Sequence, residues 1–466
     1  MRFRFVHFMI VIIAAVPAMA GPADPRRLLG PDPAPCAALP DRPLTLPDLV
    51  DLALCANPAT AVAYAASRSA AANVGIARAS ELPSLTASVG PTLSRTDYLD
   101  GQRFTTVGGQ AFSATSNTTD LGSSASLALN YLLFDFGGRA ARVGAARAQQ
   151  QAALAQVADT AQSVALTTIT AYNSLQANLG ATAAAAATIA FNRSSFDLAD
   201  AKRRAGVSTP ADALQARTAL AQAELTLVQA QGNARTAAGQ LAVAIGQPPQ
   251  TMLSLAPAPP LDAADVLSHD VTTLIADAER LRPDLTAARA NALAAAAQVR
   301  AARSDTRPSV GVSAQDNLGY ANSSTDSNRG SVGVTLSLPL FDGYGRTYRV
   351  AAARAEADRQ TALLEQTRQQ AGLDVYTQAT ALRTQIRVLA TARDLIASAT
   401  ASADIARGRF KAGVGTFTDL LNAQSALANA RQQLVSADFG VRDAQARLAR
   451  AVGQINEAVD AMRQRR

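Results

Sequence analysis

The chain contains no run of eighteen consecutive apolar residues after its first twenty positions, which excludes a transmembrane helix in the mature protein. If it crosses a membrane, it must do so as a closed β-barrel, because only helices and barrels satisfy every backbone group in lipid. It also has only two histidines and two cysteines. Only His269 follows the leader, in a proline-rich stretch far from Cys36 and Cys55, so no metal site and no histidine-activated nucleophile are expected. Phosphate-binding glycine loops are missing too, and so no catalytic set and no cofactor is expected. Lysine is nearly absent: Lys202 and Lys411 are the only two, among 43 basic residues. The excess of arginine is spread through helical segments as on a solvated face. Together with an export signal, this argues against nucleic acid as a partner. Finally, proline is missing from 139–209 and from 340 to the end, which leaves two very long stretches free to be helical.

The first twenty residues read as a secretory signal peptide. Arg2 and Arg4 give a positive start, Phe8 to Val16 is a short apolar run, and Ala18-Met19-Ala20 is a cleavage site. The competing reading, a membrane anchor, needs a run of about 20 apolar residues. No cysteine stands at the cut, so no lipid anchor is expected. In an oxidising periplasm Cys36 and Cys55 most simply form a disulfide, the alternative being two buried thiols.

The chain is one pattern written twice. Phe134-Asp135-Phe136-Gly137-Gly138-Arg139 returns as Phe341-Asp342-Gly343-Tyr344-Gly345-Arg346, 207 residues on. Ala205-Gly206-Val207 returns as Ala412-Gly413-Val414, and Ile245-Gly246 as Val452-Gly453, at the same offset. Upstream the offset is 225: Asn57-Pro58 matches Arg282-Pro283, and Pro83-Ser84 matches Pro308-Ser309. The difference of eighteen residues falls between Pro83 and Phe134, where a surface loop is expected.

This predicts an N-terminal segment over 21–43, a first repeat over 44–246, a linker over 247–269, a second repeat over 270–453 and a tail over 454–466. Each repeat opens with a short helix and a longer one. A period-two stretch follows, over about 83–134 and 308–341. In it Leu85, Ala87 and Val89 alternate with Ser84, Thr86 and Ser88, and Val332, Val334 and Leu336 with Ser331, Gly333 and Thr335. Strands of about ten residues with this alternation suit a barrel whose outside meets lipid and whose inside holds water. Long helical hairpins then occupy about 139–246 and 346–453, each turning at a glycine followed by Ser or Thr.

This order of elements resembles the TolC-type outer-membrane efflux proteins (outer membrane factors). The resemblance is carried by Arg409-Phe410-Lys411-Ala412-Gly413-Val414-Gly415-Thr416, by Asp419-Leu420-Leu421-Asn422-Ala423, by the Phe-Asp turns, and by Leu44-Thr45-Leu46 ahead of Asn57-Pro58. It implies a mixed α/β membrane protein: a homotrimer in which four strands per chain close a twelve-stranded barrel, above a long periplasmic helical tunnel. It implies an exit duct in the outer membrane of a Gram-negative cell. The partners would be outer-membrane lipid, a periplasmic adaptor (membrane fusion) protein, and an inner-membrane ABC exporter or proton-driven pump.

The resemblance also places a periplasmic gate at Asp419, with Asn422 where some members carry a second aspartate and Asp212 as the first-repeat counterpart. The plainer reading of both aspartates is helix capping. Adaptor-docking tips would be Lys202, Arg203, Arg204, Gly206 and Val207 in one hairpin, and Arg409, Lys411, Gly413 and Val414 in the other. The cysteine pair and Cys55-Ala56-Asn57-Pro58 look like the type I secretion branch, which exports RTX-type toxins; drug or metal efflux is the alternative. A periplasmic coiled-coil protein without a pore would leave the four amphipathic strands unexplained.

Overall fold

A computed structural model describes residues 36, 42–96, 104–107, 110–113, 118–257, 270–321 and 327–455. The expected signal peptide, most of the N-terminal segment, the second half of the linker with His269, and nearly all of the tail lie outside the described residues.

The element order is α1 (Leu46–Ala56), α2 (Pro58–Ala79), β1 (Ser84–Thr96), β2 (Phe104–Val107), β3 (Gln110–Ser113), β4 (Thr118–Phe134), α3 (Gly138–Arg204) and α4 (Pro210–Ala244). The second repeat gives α5 (Val271–Leu281), α6 (Pro283–Ser304), β5 (Ser309–Ala321), β6 (Ser327–Ser337), α7 (Gly345–Ala412) and α8 (Phe417–Val452). The chain divides into two units. Among the described residues, one comprises those of 70–150 and 291–360; the other comprises those of 36–69, 151–290 and 361–455.

The first unit holds the strands. All four long strands form one antiparallel sheet in the order β1-β4-β5-β6, so the hairpins of the two repeats are joined edge to edge through β4 and β5. Register aligns Leu85, Leu129, Ala314 and Val332 in one row, and Ser84, Asn130, Ser313 and Gly333 in the next. One face is therefore aliphatic and the other hydroxylic. Among the described residues nothing covers the aliphatic face: Val89 is 82% exposed and Val334 71%.

The eighteen extra residues differ from the expected plain loop. β4 runs for 17 residues, and β2 and β3 pair as a small sheet of their own, Val107 opposite Gln110. The two residues between them are both glycine, the dipeptide that suits a two-residue hairpin connection.

At the strand-to-helix junctions Asp135 accepts the Arg139 backbone N–H at 2.7 Å, and Asp342 that of Arg346 at 3.0 Å, satisfying an orphan donor at each helix start. Each turn has two successive residues of positive φ. Glycine comes second in the first repeat (Phe136 53°, Gly137 85°) and first in the second (Gly343 65°, Tyr344 66°).

In the second unit the long helices meet the short ones at two equivalent joints. The Asn57 side chain donates to the Ala244 carbonyl at 3.0 Å, capturing the end of α4. Arg282 donates to the Ala451 carbonyl at 3.2 Å, capturing the end of α8. Gly246 (φ 75°) lies against the Ala56 carbonyl, where a Cβ would come within 2.5 Å of the oxygen. Gly453 (φ 91°) lies against that of Leu281, where a Cβ would sit 3.0–3.1 Å from backbone atoms, tighter than side chains ordinarily do. The joints differ in charge. Arg282 is buried and also holds Asp284, at 2.7 and 3.0 Å, and Asp374 at 3.2 Å.

The rest of this unit is a layer of alanines with larger residues at intervals. Leu49, Tyr172, Leu241 and Ile245 form one cluster; Leu382, Leu389 and Val441 form another. Alanine lets long helices lie close together, at the expense of apolar area per residue. A disulfide joins Cys36 to Cys55 on α1, with Cα atoms 5.6 Å apart.

Candidate functional site

Each long helix ends in a Schellman motif. At the first tip Val207 N donates to the Lys202 carbonyl at 3.0 Å and Gly206 N to that of Arg203 at 3.1 Å, with Gly206 at φ 75°. At the second, Val414 N donates to the Arg409 carbonyl at 3.0 Å and Gly413 N to that of Phe410 at 3.2 Å, with Gly413 at φ 82°. The motif turns one valine outward at each tip: Val207 is 73% exposed and Val414 70%.

The return helices start with capping boxes. Asp212 N donates to the Thr209 hydroxyl at 3.3 Å, while the Asp212 carboxylate accepts from Thr209 N at 3.3 Å and from the Ser208 hydroxyl at 2.6 Å. Asp419 N donates to the Thr416 hydroxyl at 3.1 Å, and its carboxylate accepts from Thr416 N at 3.3 Å. Both carboxyls sit below the usual aspartate range, Asp212 chiefly through the Ser208 hydroxyl and Asp419 through its bonding to Thr416. Each aspartate is thus a helix cap that stays ionised. Each also leaves room for a second role, since a carboxylate accepts more than two hydrogen bonds. Asn422 lies one turn beyond Asp419 and lines a cleft of ≈ 900 Å³ between α3, α4 and α8. Amides, hydroxyls and small apolar groups form its wall, among them Asn192, Gln222, Thr226 and Gln432.

The tip cations are not equivalent. Arg203 and Arg204 both pair with Asp200, at 2.9 and 2.6 Å. The Lys202 ammonium donates to the Phe410 carbonyl and stands 4.4 Å from the centre of the Phe410 ring. It therefore ties the end of α3 to the end of α7. Two further links run between these hairpins: Arg407 stacks on Phe191 at 3.5 Å, and the Gln424 amide donates to the Ser195 hydroxyl. Phe410 and Phe417 meet edge to face at 5.5 Å and are buried with Ala199, Ala216 and Leu420. Reading the sequence for glycines and charges passes over this aromatic plug. The signal for it was a departure from the repeat: Phe410 and Phe417 stand 207 residues after Arg203 and Pro210.

Among the described residues no helix is long and apolar enough by itself to cross a membrane, and no cluster of three or more His, Cys, Asp or Glu side chains could hold a metal.

Comparison with known proteins decides the family. The model of the family described as outer membrane efflux protein matches residues 49–247 and 274–454. The chain belongs to that family. It is 32% identical to Protein CyaE of Bordetella pertussis over 454 residues, 96% of this chain and 91% of that one. Its fold matches the outer-membrane channel OprN with a TM-score of 0.77 at 23% identity, covering 88% of this chain and 90% of that one. It matches the outer membrane protein VceC of Vibrio cholerae with a TM-score of 0.74 at 23% identity, covering 88% and 96%.

The fold is therefore TolC-like, a β-barrel joined to a helical barrel, and the protein is an outer-membrane exit duct with a periplasmic helical part. Channels of this family are homotrimers that work with adaptor proteins and inner-membrane pumps in tripartite export. The single sheet fits such an assembly. Among the described residues its outer strands β1 and β6 have no partner beyond them, and four strands are too few to close a membrane barrel.

Proposed function

We propose that this duct serves type I protein secretion, passing an unfolded RTX-type polypeptide from an ABC exporter and its periplasmic adaptor to the outside. The observation that carries the reading is the near-full-length likeness to Protein CyaE. The Cys36–Cys55 disulfide next to Asn57-Pro58 supports it, being the feature that resembles the type I branch. The neutral wall of the cleft at Asn422 is in keeping with it. A moving polypeptide needs a surface that neither traps its side chains by charge nor stacks on them.

In this reading three copies of Asp419 ring the periplasmic entrance and hold cations there, with Asn422 behind them and Asp212 in a lesser role. The adaptor contacts Val207 and Val414 on their glycine turns, with the cations Arg409 and Lys411 beside them; Lys202, Arg203 and Arg204 shape the other tip. The functional boundaries follow the two repeats, 44–246 and 270–453.

Deleting the gene in its host tests the substrate class. The expected result is loss of a large secreted protein from the medium with unchanged susceptibility to drugs and metals. Hypersensitivity to such compounds with an unchanged set of secreted proteins would assign the duct to efflux.

A further inference from the structure

One residue breaks the aliphatic face of the sheet. On β5, Val310, Val312, Ala314, Leu318 and Tyr320 share that face with Asp316. Register sets Asp316 in the row Ala87, Leu127, Asp316, Gly330. Its Oδ1 is buried and has no hydrogen-bond partner. In the closed barrel this face meets lipid, where an uncompensated carboxylate is unfavourable.

Only one other strand residue of the sheet brings a charge to this face, and it has the opposite sign: Arg95 on β1, in register with Thr119. Within one chain the two cannot meet. Arg95 lies eight residues along β1 from Ala87, the β1 member of the Asp316 row, which is about 26 Å at strand spacing.

Between copies the geometry changes. β1 and β6 are the two edges of the sheet, so the barrel closes by seating β6 of one copy against β1 of the next. The sheet is staggered. The row of Ser84, the first residue of β1, reaches β6 at Gly333, four residues short of the end of β6 at Ser337. Closure must continue a stagger of this kind, and over one more strand it amounts to about five residues. The row of Ala87 then continues from Gly330 into the stretch 91–95 of the neighbouring β1. Gly330 has no side chain to stand between Asp316 and whatever enters there. A guanidinium carries five donors, so it can serve a carboxylate without giving up other contacts.

We propose that Asp316 of each copy forms an ion pair with Arg95 of the neighbouring copy across Gly330, a charge lock on the lipid-facing seam of the barrel. The proposal rests on the trimeric barrel of the family and adds which residues hold its seam. The Asp316 Oδ1, which has no hydrogen-bond partner among the described residues, gains one only in the assembled ring, so the lock favours closure over open or misregistered sheets.

The test compares Asp316→Arg, Arg95→Asp and the double exchange in outer-membrane preparations, reading the temperature at which SDS-resistant trimers dissociate. Each single change should lower it by several degrees, and the exchange should restore most of the loss. Singles without effect, or an exchange as weak as the sum of its parts, would overturn the pair. Gly330→Cys with Leu93→Cys supplies a second measurement in a sheet with unaltered charges, because both native cysteines are already paired. Oxidation should cross-link neighbouring copies. Assembled trimers that do not cross-link would place other residues at the seam and overturn the proposal. Loss of EDTA sensitivity in Asp316→Asn, with Arg95 variants silent, would also overturn it, assigning the carboxylate to a lipid-associated divalent cation. A wild-type protein recovered only as monomer would instead sink the trimeric reading itself.

Discussion

Arg282→Ala removes the centre of the charged joint. Arg282 is 7% exposed, and its guanidinium makes four hydrogen bonds: two to Asp284, one to Asp374 and one to the Ala451 carbonyl. Removing one member of a buried ion pair costs roughly 3–5 kcal/mol, because the partners keep the penalty of burial without its compensation. Here the acids are partly solvated, with side chains 27% and 37% exposed, and Asp284 keeps the Leu285 backbone N–H at 2.8 Å. The loss should therefore fall at the lower end, about 3 kcal/mol.

The matched control is Asn57→Ala at the equivalent joint, where one neutral hydrogen bond is lost and about 1 kcal/mol is expected. The assay is thermal or denaturant unfolding of purified trimers. The difference should also depend on pH. Burial pushes the Asp284 carboxyl up, but the hydrogen bonds and charge of Arg282 outweigh it and hold the group below the ordinary aspartate value. A depressed acid contributes stability above its unfolded pKa, and that contribution disappears as pH falls through the folded value. The gap between wild type and Arg282→Ala should thus be full at pH 7 and close progressively below about pH 4. A loss at Arg282 no larger than at Asn57, or a gap independent of pH, would refute the view that charge distinguishes the joints.

Asp419→Ala should reduce cation selectivity and block by multivalent cations in planar bilayers, and Asp212→Ala should do so less; unchanged recordings from assembled trimers would leave Asp419 as a helix cap alone. Because the Asp419 carboxyl sits below the ordinary aspartate range, its block should persist at a pH where an ordinary aspartate has begun to lose its charge. Cys55→Ser should lower the melting temperature without abolishing export, since the bond closes a short loop with a sequence separation of 19, for which loop entropy gives about 3 kcal/mol. Gly246→Ala places a Cβ 2.5 Å from the Ala56 carbonyl oxygen, whereas Gly206→Ala meets no atom within 4 Å. Both require positive φ, so the excess destabilisation of Gly246→Ala, read by denaturant midpoint, measures the close approach at the joint.

The fold was legible because its long elements are governed by local rules. The proline-free stretches 139–209 and 340 onward, with turn glycines at Gly206 and Gly413, point to two long helices, and these stretches hold α3 (Gly138–Arg204) and α7 (Gly345–Ala412). Period-two alternation locates β1, β4, β5 and β6. The pairing of β4 with β5 joins strands from different repeats, and no local pattern encodes such a long-range contact. The small β2–β3 sheet was missed because strands of four residues are too short to set up a readable period. At the tips, turn glycines and capping boxes could be read directly, since both are determined within six residues. The links from Lys202 to Phe410, Arg407 to Phe191 and Gln424 to Ser195 could not, because each joins residues about two hundred apart.

The duplication nevertheless carries information about such contacts, in the positions where the copies disagree. A duplicated chain starts with equal residues at equivalent sites, so a difference records a demand that one copy meets and the other does not. Asn57 stands at the position of Arg282 in the other joint, and only the second repeat has Asp374 across from it. Arg203 and Pro210 correspond to Phe410 and Phe417, and only the second pair fills an aromatic plug. In the Phe-Asp turns the aromatic and the glycine exchange places while both positions keep positive φ, so the backbone shape is retained and the ring is re-aimed. The second repeat thus carries the charged joint, the plug and the capping aspartate that the family resemblance places at the gate, whereas the first repeat supplies a neutral joint and the lysine that reaches across. Movement at the entrance should therefore begin in α7 and α8: variants at Arg282, Phe410 or Phe417 should change channel conductance more than variants at Asn57, Arg203 or Pro210. Equal effects from the two repeats in single-channel recordings would mean that the hairpins open together and that their differences only stabilise the fold.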